Sequence, residues 1–100
     1  MAQELTGKQR RYLRGLGNSV AATVYVGREG LGPGVVRSVE EAYATAELIK
    51  VRVERNCPVG RKELAPALAE ETGSNLVQVL GQTILLYRPD AEGPHIQLPE

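Results

Sequence analysis

Apolar residues recur along this chain with two different spacings, and each spacing predicts an element. Leu5, Tyr12, Leu13 and Leu16 fall on one side of a helix turning about 100° per residue, while Lys8, Arg10, Arg11 and Arg14 fall nearly opposite. Thr6 is an N-cap residue type and Gly17-Asn18 a stop, so the spacing predicts a helix over about Gly7–Leu16. Ala22–Val26 is short, rich in β-branched residues and bounded by Gly27, as a buried strand would be. Pro33 suits the first turn of a second helix, and Val35, Val36, Val39, Ala42, Tyr43 and Ala46 extend its stripe to about Ala46. Arg37, Glu40 and Glu41 face outward from it. The spacing then changes to strict alternation over Glu47–Glu54. Ile49, Val51 and Val53 take one side, and Leu48, Lys50, Arg52 and Glu54 take the other, which predicts a strand with one buried face and one basic, exposed face.

Asn56–Gly60 (NCPVG) is a turn, followed by a third helix within Val59–Thr72 whose core side is Leu64, Ala67 and Leu68. Pro66 predicts a late start or a bend there, since its ring cannot occupy a regular helix interior. Gly73 suits the residue after that helix. Asn75–Leu80 and Thr83–Tyr87 then read as two strands joined only by Gly81 and Gln82, the spacing of a tight antiparallel hairpin. From Arg88 onward RPDAEGPHIQLPE has three prolines and no core pattern, and reads as a loosely held tail in which His95 is solvated. The order α-β-α-β-α-β-β predicts an α+β two-layer sandwich: helices on a four-stranded sheet, mixed because helical crossovers are followed by a hairpin. Without a repeat or a linker, the chain reads as one domain over 1–100, with its core at about 5–89 and a tail at 90–100.

Composition narrows the function classes. Tryptophan and phenylalanine are absent, so the core is built from Leu, Val, Ile and Ala with help from four tyrosines. No apolar run nears the roughly 20 residues of a membrane span, and no apolar segment follows the charged N-terminus as in a signal peptide. Cys57 stands alone, which excludes an internal disulfide and fits a reducing cytoplasm. A single histidine in the tail gives no Ser-His-Asp set and no metal cluster, so neither catalytic nor metal-ligating residues are expected, and no cofactor or small-molecule substrate. Net charge is zero but unevenly spread: residues 1–37 carry six basic and two acidic side chains, and residues 50–62 carry five basic against Glu54. One basic face and one acidic face are therefore both possible.

VYVGREGLGPGVV, residues 24–36, places four glycines between the first strand and the second helix. No Lys-Ser or Lys-Thr pair follows the last glycine, as a P-loop requires, and no register satisfies GxGxxG. What remains is the element Gly27-Arg28-Glu29-Gly30, opening onto a helix N-terminus that favours anions. It is either a backbone–anion contact or a turn required by backbone geometry alone.

Taken together, LTGKQRRYLRGLG, VYVGREGL, ELIKVRV and LAEETGSNLVQVLGQTILLYRP, spanning about Leu5–Pro89, resemble the stand-alone bacterial YhbY-like proteins, which carry the CRM domain (chloroplast RNA splicing and ribosome maturation). The resemblance implies an RNA-binding module with a GxxG loop comparable to that of KH domains. It implies a fold related to the C-terminal domain of bacterial translation initiation factor three, and an association with precursors of the large ribosomal subunit. On the matching positions, Gly27 and Gly30 are the loop glycines, with Arg28 and Glu29 as the variable pair. Lys8 and Arg11 match the basic first helix, Lys50 the basic strand, and Gly81, Tyr87 and Arg88 the closing hairpin. The expectation is a monomeric, non-enzymatic binder of ribosomal RNA in the cytoplasm, contacting it through Lys8, Arg10, Arg11, Arg14, Gly27, Arg28, Glu29, Gly30, Arg37, Lys50, Arg52 and Arg88. With few exposed aromatics expected, recognition would rest on shape and backbone phosphates. A protein-interaction module docking through Glu40, Glu41, Glu70 and Glu71 is the alternative.

Overall fold

The computed structural model describes residues 4–100; residues 1–3, the start of the expected domain, lie outside it. The elements are α1 (Gly7–Gly17), β1 (Ala22–Val26), α2 (Pro33–Tyr43), β2 (Leu48–Val53), α3 (Arg61–Thr72), β3 (Asn75–Leu80) and β4 (Thr83–Tyr87). They form a four-stranded sheet of order β1-β2-β4-β3, parallel between β1 and β2 and antiparallel elsewhere. This is the α+β fold with a mixed sheet that the spacing predicts.

The ends of the helices follow from local chemistry. The Thr6 hydroxyl accepts from the Gln9 amide at 3.1 Å, and the Gln9 side chain accepts from the Thr6 amide at 3.1 Å, satisfying two donors that a helix start otherwise leaves open. Pro33 opens α2, and Gly73 closes α3 in the left-handed region, at φ 63°. Contrary to expectation, α3 begins at Arg61, five residues ahead of Pro66, so the proline does not delay it. The carbonyl that Pro66 cannot bond belongs to Lys62, and both residues are exposed, where water can serve it. Helix α2 ends at Tyr43, leaving Ala46 exposed rather than in the stripe.

Alternation in the strands feeds two apolar clusters. Val24, Val26, Ile49, Val51, Val53, Ile84 and Leu86 point to the face covered by Val39 of α2 and Leu64 and Leu68 of α3. Leu48, Val77, Leu85 and Tyr87 point the other way, under Leu5, Leu13 and Leu16. Helix α1 thus adds a partial third layer, and two readings of the sequence need correction. Leu48 is buried rather than part of an exposed face, so cover along β2 fades from Leu48 through half-buried Lys50 to exposed Arg52. Conversely, β1 is buried on one side only, since Thr23 and Tyr25 face solvent. Gly17 lies inside α1 rather than beyond it, and a methyl group there would sit 2.5 Å from Leu85 Cδ2. The glycine lets the helix end settle on the sheet.

The tail is also held, against expectation. Ile96 and Leu98 pack on the second cluster, and Gln9 Nε2 donates to the Pro99 carbonyl at 3.1 Å. Glu47, only 7% exposed, accepts from the amides of Asp90, His95 and Ile96 at 2.6, 2.8 and 2.7 Å. A buried carboxylate needs such donors, and here the tail backbone supplies them. The His95 side chain is exposed, as expected of a solvated residue, but its backbone is anchored.

Candidate nucleic-acid interface

Gly27–Gly30 forms a closed turn in which the Gly30 amide donates to the Gly27 carbonyl at 3.0 Å. Gly30 adopts φ 63°, and a Cβ there would stand 3.4 Å from Pro58 Cγ. Backbone geometry therefore requires glycine at this position, whatever the loop holds. The Gly30 amide, one of the expected anion donors, is used up within the turn. The amides of Arg28 and Glu29 form no hydrogen bond among the described residues, and both side chains are exposed. Behind the turn, Gly32 caps α2 without a side-chain bond and Pro33 has no amide to offer, so the free donors of the first turn are those of Gly34 and Val35. Tyr25, Gly27, Arg28, Glu29, Gly34 and Val35 line one shallow depression here.

A second depression shares Tyr25 and Gly27 and adds Arg52, Glu54, Arg55 and Asn56. The parallel register sets Tyr25 beside Arg52 and Ala22 beside Lys50, so Lys50 and Arg52 share the sheet face on which α1 lies. Gly17 against Leu85, the register partner of Lys50, puts the end of α1 near this open patch. Lys8, Arg11 and Arg14 are exposed on the helix. Arg10 is half-buried and reaches the Leu76 carbonyl of β3 at 3.4 Å, so it steadies the helix on the sheet edge. Of twelve basic side chains, only Arg88 has a carboxylate within 4.0 Å among the described residues.

Arg88 itself is withdrawn from the expected contact set. Its guanidinium donates to both Glu40 carboxylate oxygens at 2.8 Å and to the Thr72 carbonyl at 2.8 Å, and lies 4.2 Å from the centroid of the Tyr43 ring. The Arg88 hydrogen bond holds the Glu40 carboxyl below its ordinary range. Burial raises the Tyr43 hydroxyl to about 12, against a smaller opposing pull from its hydrogen bond with Ser74. This planar fork-and-ring arrangement ties α2, α3 and the end of β4 together. It also removes Glu40 from the acidic docking face, leaving Glu41, Glu70 and Glu71 exposed. Arg37 lies off the Tyr25 patch, in a depression with Leu31, Val36 and Glu71.

Two members of the patch were missed from the sequence. Tyr25 sits between core residues Val24 and Val26, so strand alternation alone would have turned it outward. Arg55 was hidden in a turn, and only the return of β2 beside β1 brings it to Tyr25. Among the described residues no His, Cys, Asp or Glu cluster could hold a metal, and no helix is long and apolar enough to cross a membrane.

Comparison with known proteins agrees with this architecture. A family model described as the CRS1 / YhbY (CRM) domain matches residues 5–88. A Bacillus subtilis protein named "Probable RNA-binding protein YqeI" is 39% identical over 95 residues, covering 95% of this chain and 99% of its own. An "RNA-binding protein" of Haemophilus influenzae is 37% identical over 95 residues, 95% of each chain. The solution structure of SAV1595 from Staphylococcus aureus, put forward as an RNA binder, superposes with a TM-score of 0.81 at 41% identity, over 96% of this chain and all of that one.

Proposed function

This chain belongs to the CRS1 / YhbY (CRM) domain family, and on that premise we propose that it binds ribosomal RNA during assembly of the large ribosomal subunit, without catalysing a reaction. The proposal extends to a monomer working in the cytoplasm. The observation that carries it is the unpaired state of the cations. Among the described residues, Lys8, Arg11 and Arg14 on α1, Arg28 in the turn, and Lys50, Arg52 and Arg55 at the sheet all lack a carboxylate within 4.0 Å. Unpaired, exposed cations are what phosphate neutralisation and counterion release require. The Arg28 and Glu29 amides and the start of α2 add backbone donors for phosphate oxygens.

Titrating a large-subunit ribosomal RNA fragment against the protein at several salt concentrations tests this directly. Six or so phosphate contacts should reduce affinity by about a thousandfold between 50 and 200 mM salt. Absence of binding at low salt would sink the proposal. In cells, the protein should sediment with large-subunit precursors and leave them at high salt.

Glu29 sets a carboxylate at the tip of the turn, beside Arg28. If the turn meets phosphate, Glu29→Lys removes one repulsion and adds one contact, and affinity should rise roughly tenfold or more near 0.1 M salt. Equal affinities in a filter-binding comparison would leave the glycines serving the turn alone.

A further inference from the structure

We propose that Tyr25 is a stacking platform for one unpaired nucleobase, held between phosphate contacts at the Gly27–Gly30 turn and at Arg52 and Arg55. The inference rests on the RNA-binding reading above and adds a mode of recognition to it: single-stranded rather than purely backbone contact.

Tyr25 is 55% exposed, although the strand that carries it is rigidly seated by Val24 and Val26, which are at most 1% exposed. Its hydroxyl donates to the Ala22 carbonyl three residues earlier on the same strand, at 3.2 Å. That bond lays the ring along β1 and limits its rotation, so an incoming planar group loses little side-chain freedom by stacking. An outward tyrosine on a sheet ordinarily packs against a cross-strand neighbour. Here the neighbour in register is Arg52, itself exposed, and beyond it in the same row come Thr83 and Leu80, the latter 62% exposed. Among the described residues the second cluster covers the sheet at Leu48, Val77, Leu85 and Tyr87, and does not extend to this row.

The surroundings select the occupant. Tyr25 lines the depression with Gly27, Arg28, Glu29 and Gly34 on one side, and the depression with Arg52, Glu54 and Arg55 on the other, so arginines stand on both sides and outnumber the one glutamate on the second. A ring flanked on both sides by cations matches a nucleotide, whose base has an apolar face and whose backbone carries an anion at each end. A base inside an A-form duplex is already stacked on both faces and cannot present one to the ring, so the ligand must be unpaired there. Arg52 can also lay its guanidinium plane against the same base.

The test compares an RNA hairpin carrying an unpaired pyrimidine loop with a blunt duplex of the same length, at one salt concentration. Tyr25→Ala should weaken binding to the loop RNA about five- to a hundredfold while changing duplex binding little, and Tyr25→Phe should stay within about threefold of the wild type. Thermal unfolding of each variant checks that the fold is intact. Wild-type-like affinity of Tyr25→Ala for the loop RNA, or an equal loss on loop and duplex, overturns the stacking role. The salt-dependent binding of the wild type would then leave the parent reading in place. A wild type that binds neither RNA overturns both. A nuclease-resistant protein complex that dissolves in Tyr25→Ala would reassign the ring to a protein contact and overturn the nucleobase assignment.

Discussion

Replacing Lys8, Arg11 and Arg14 together by glutamate is expected to weaken the proposed binding to ribosomal RNA by roughly a hundred- to a thousandfold near 0.1 M salt. The log–log salt slope should become shallower by about two to three, because each lost phosphate contact removes about 0.7–0.9 from it. All three side chains are exposed, none has a carboxylate within 4.0 Å among the described residues, and buried Leu13 anchors the opposite side of the helix. Folding should change little. A glutamate at position 8 meets the positive end of a helix with no acid in its first turn, which favours it, and one at position 14 meets the negative end, which opposes it. Each of these effects is under about 1 kcal/mol and they carry opposite signs. Arg10 is left out of the set because its bond to the Leu76 carbonyl would confuse docking of the helix with binding. Unchanged affinity of the triple variant, with its melting temperature intact, would remove α1 from the interface.

Glu47→Ala should have the largest effect on stability. The carboxylate is nearly enclosed and answers three tail amides within 2.8 Å, so its loss strands three donors and frees residues 90–96. Hydrogen bonds to a charged group are worth about 1.5–3 kcal/mol each, and water recovers part of that for the freed amides, so the net cost should be about 2–4 kcal/mol, a large share of the roughly 5–15 kcal/mol that holds a domain of this size. The melting temperature should drop by on the order of 10–20 °C. Burial alone would raise the Glu47 pKa, but the amides of Asp90, Ile96 and His95 together outweigh it and hold the carboxyl below its ordinary value. Glu40 is lowered as well, by Arg88. A group depressed in the folded state contributes its full stabilisation above its unfolded pKa, about 4.3 for glutamate, and loses it as pH falls through the folded value. The wild type should therefore lose stability as pH falls below about 5, and Glu47→Ala should lose less over that window. Equal unfolding midpoints for the two proteins in urea would show that the tail anchor carries no weight.

The elements themselves were legible because their causes are local. Thr6 and Gln9 are three residues apart, Pro33 opens its own helix, and the Gly81-Gln82 turn joins strands adjacent in sequence. The misreadings share the opposite property. Gly17 reads as a helix stop, yet what it serves is close approach to Leu85, 68 positions away. The tail reads as loose, because the carboxylate that anchors its amides, Glu47, lies more than forty residues upstream. Arg88 reads as a phosphate contact until Glu40, Thr72 and Tyr43 converge on it.

The sequence by itself determined the order of helices and strands, the basic stripe on α1 and the glycine turn, since periodicity, caps and turn chemistry act over a few residues. Only the tertiary structure decided which charges are spent and which remain free. It withdrew Arg88 and the Gly30 amide, brought Arg55 to Arg52, and left Tyr25 uncovered where α1 ends its cover of the sheet. Whether a charge or a ring is available to a ligand depends on partners that meet it across the fold, and the spacing of residues along one segment does not contain them.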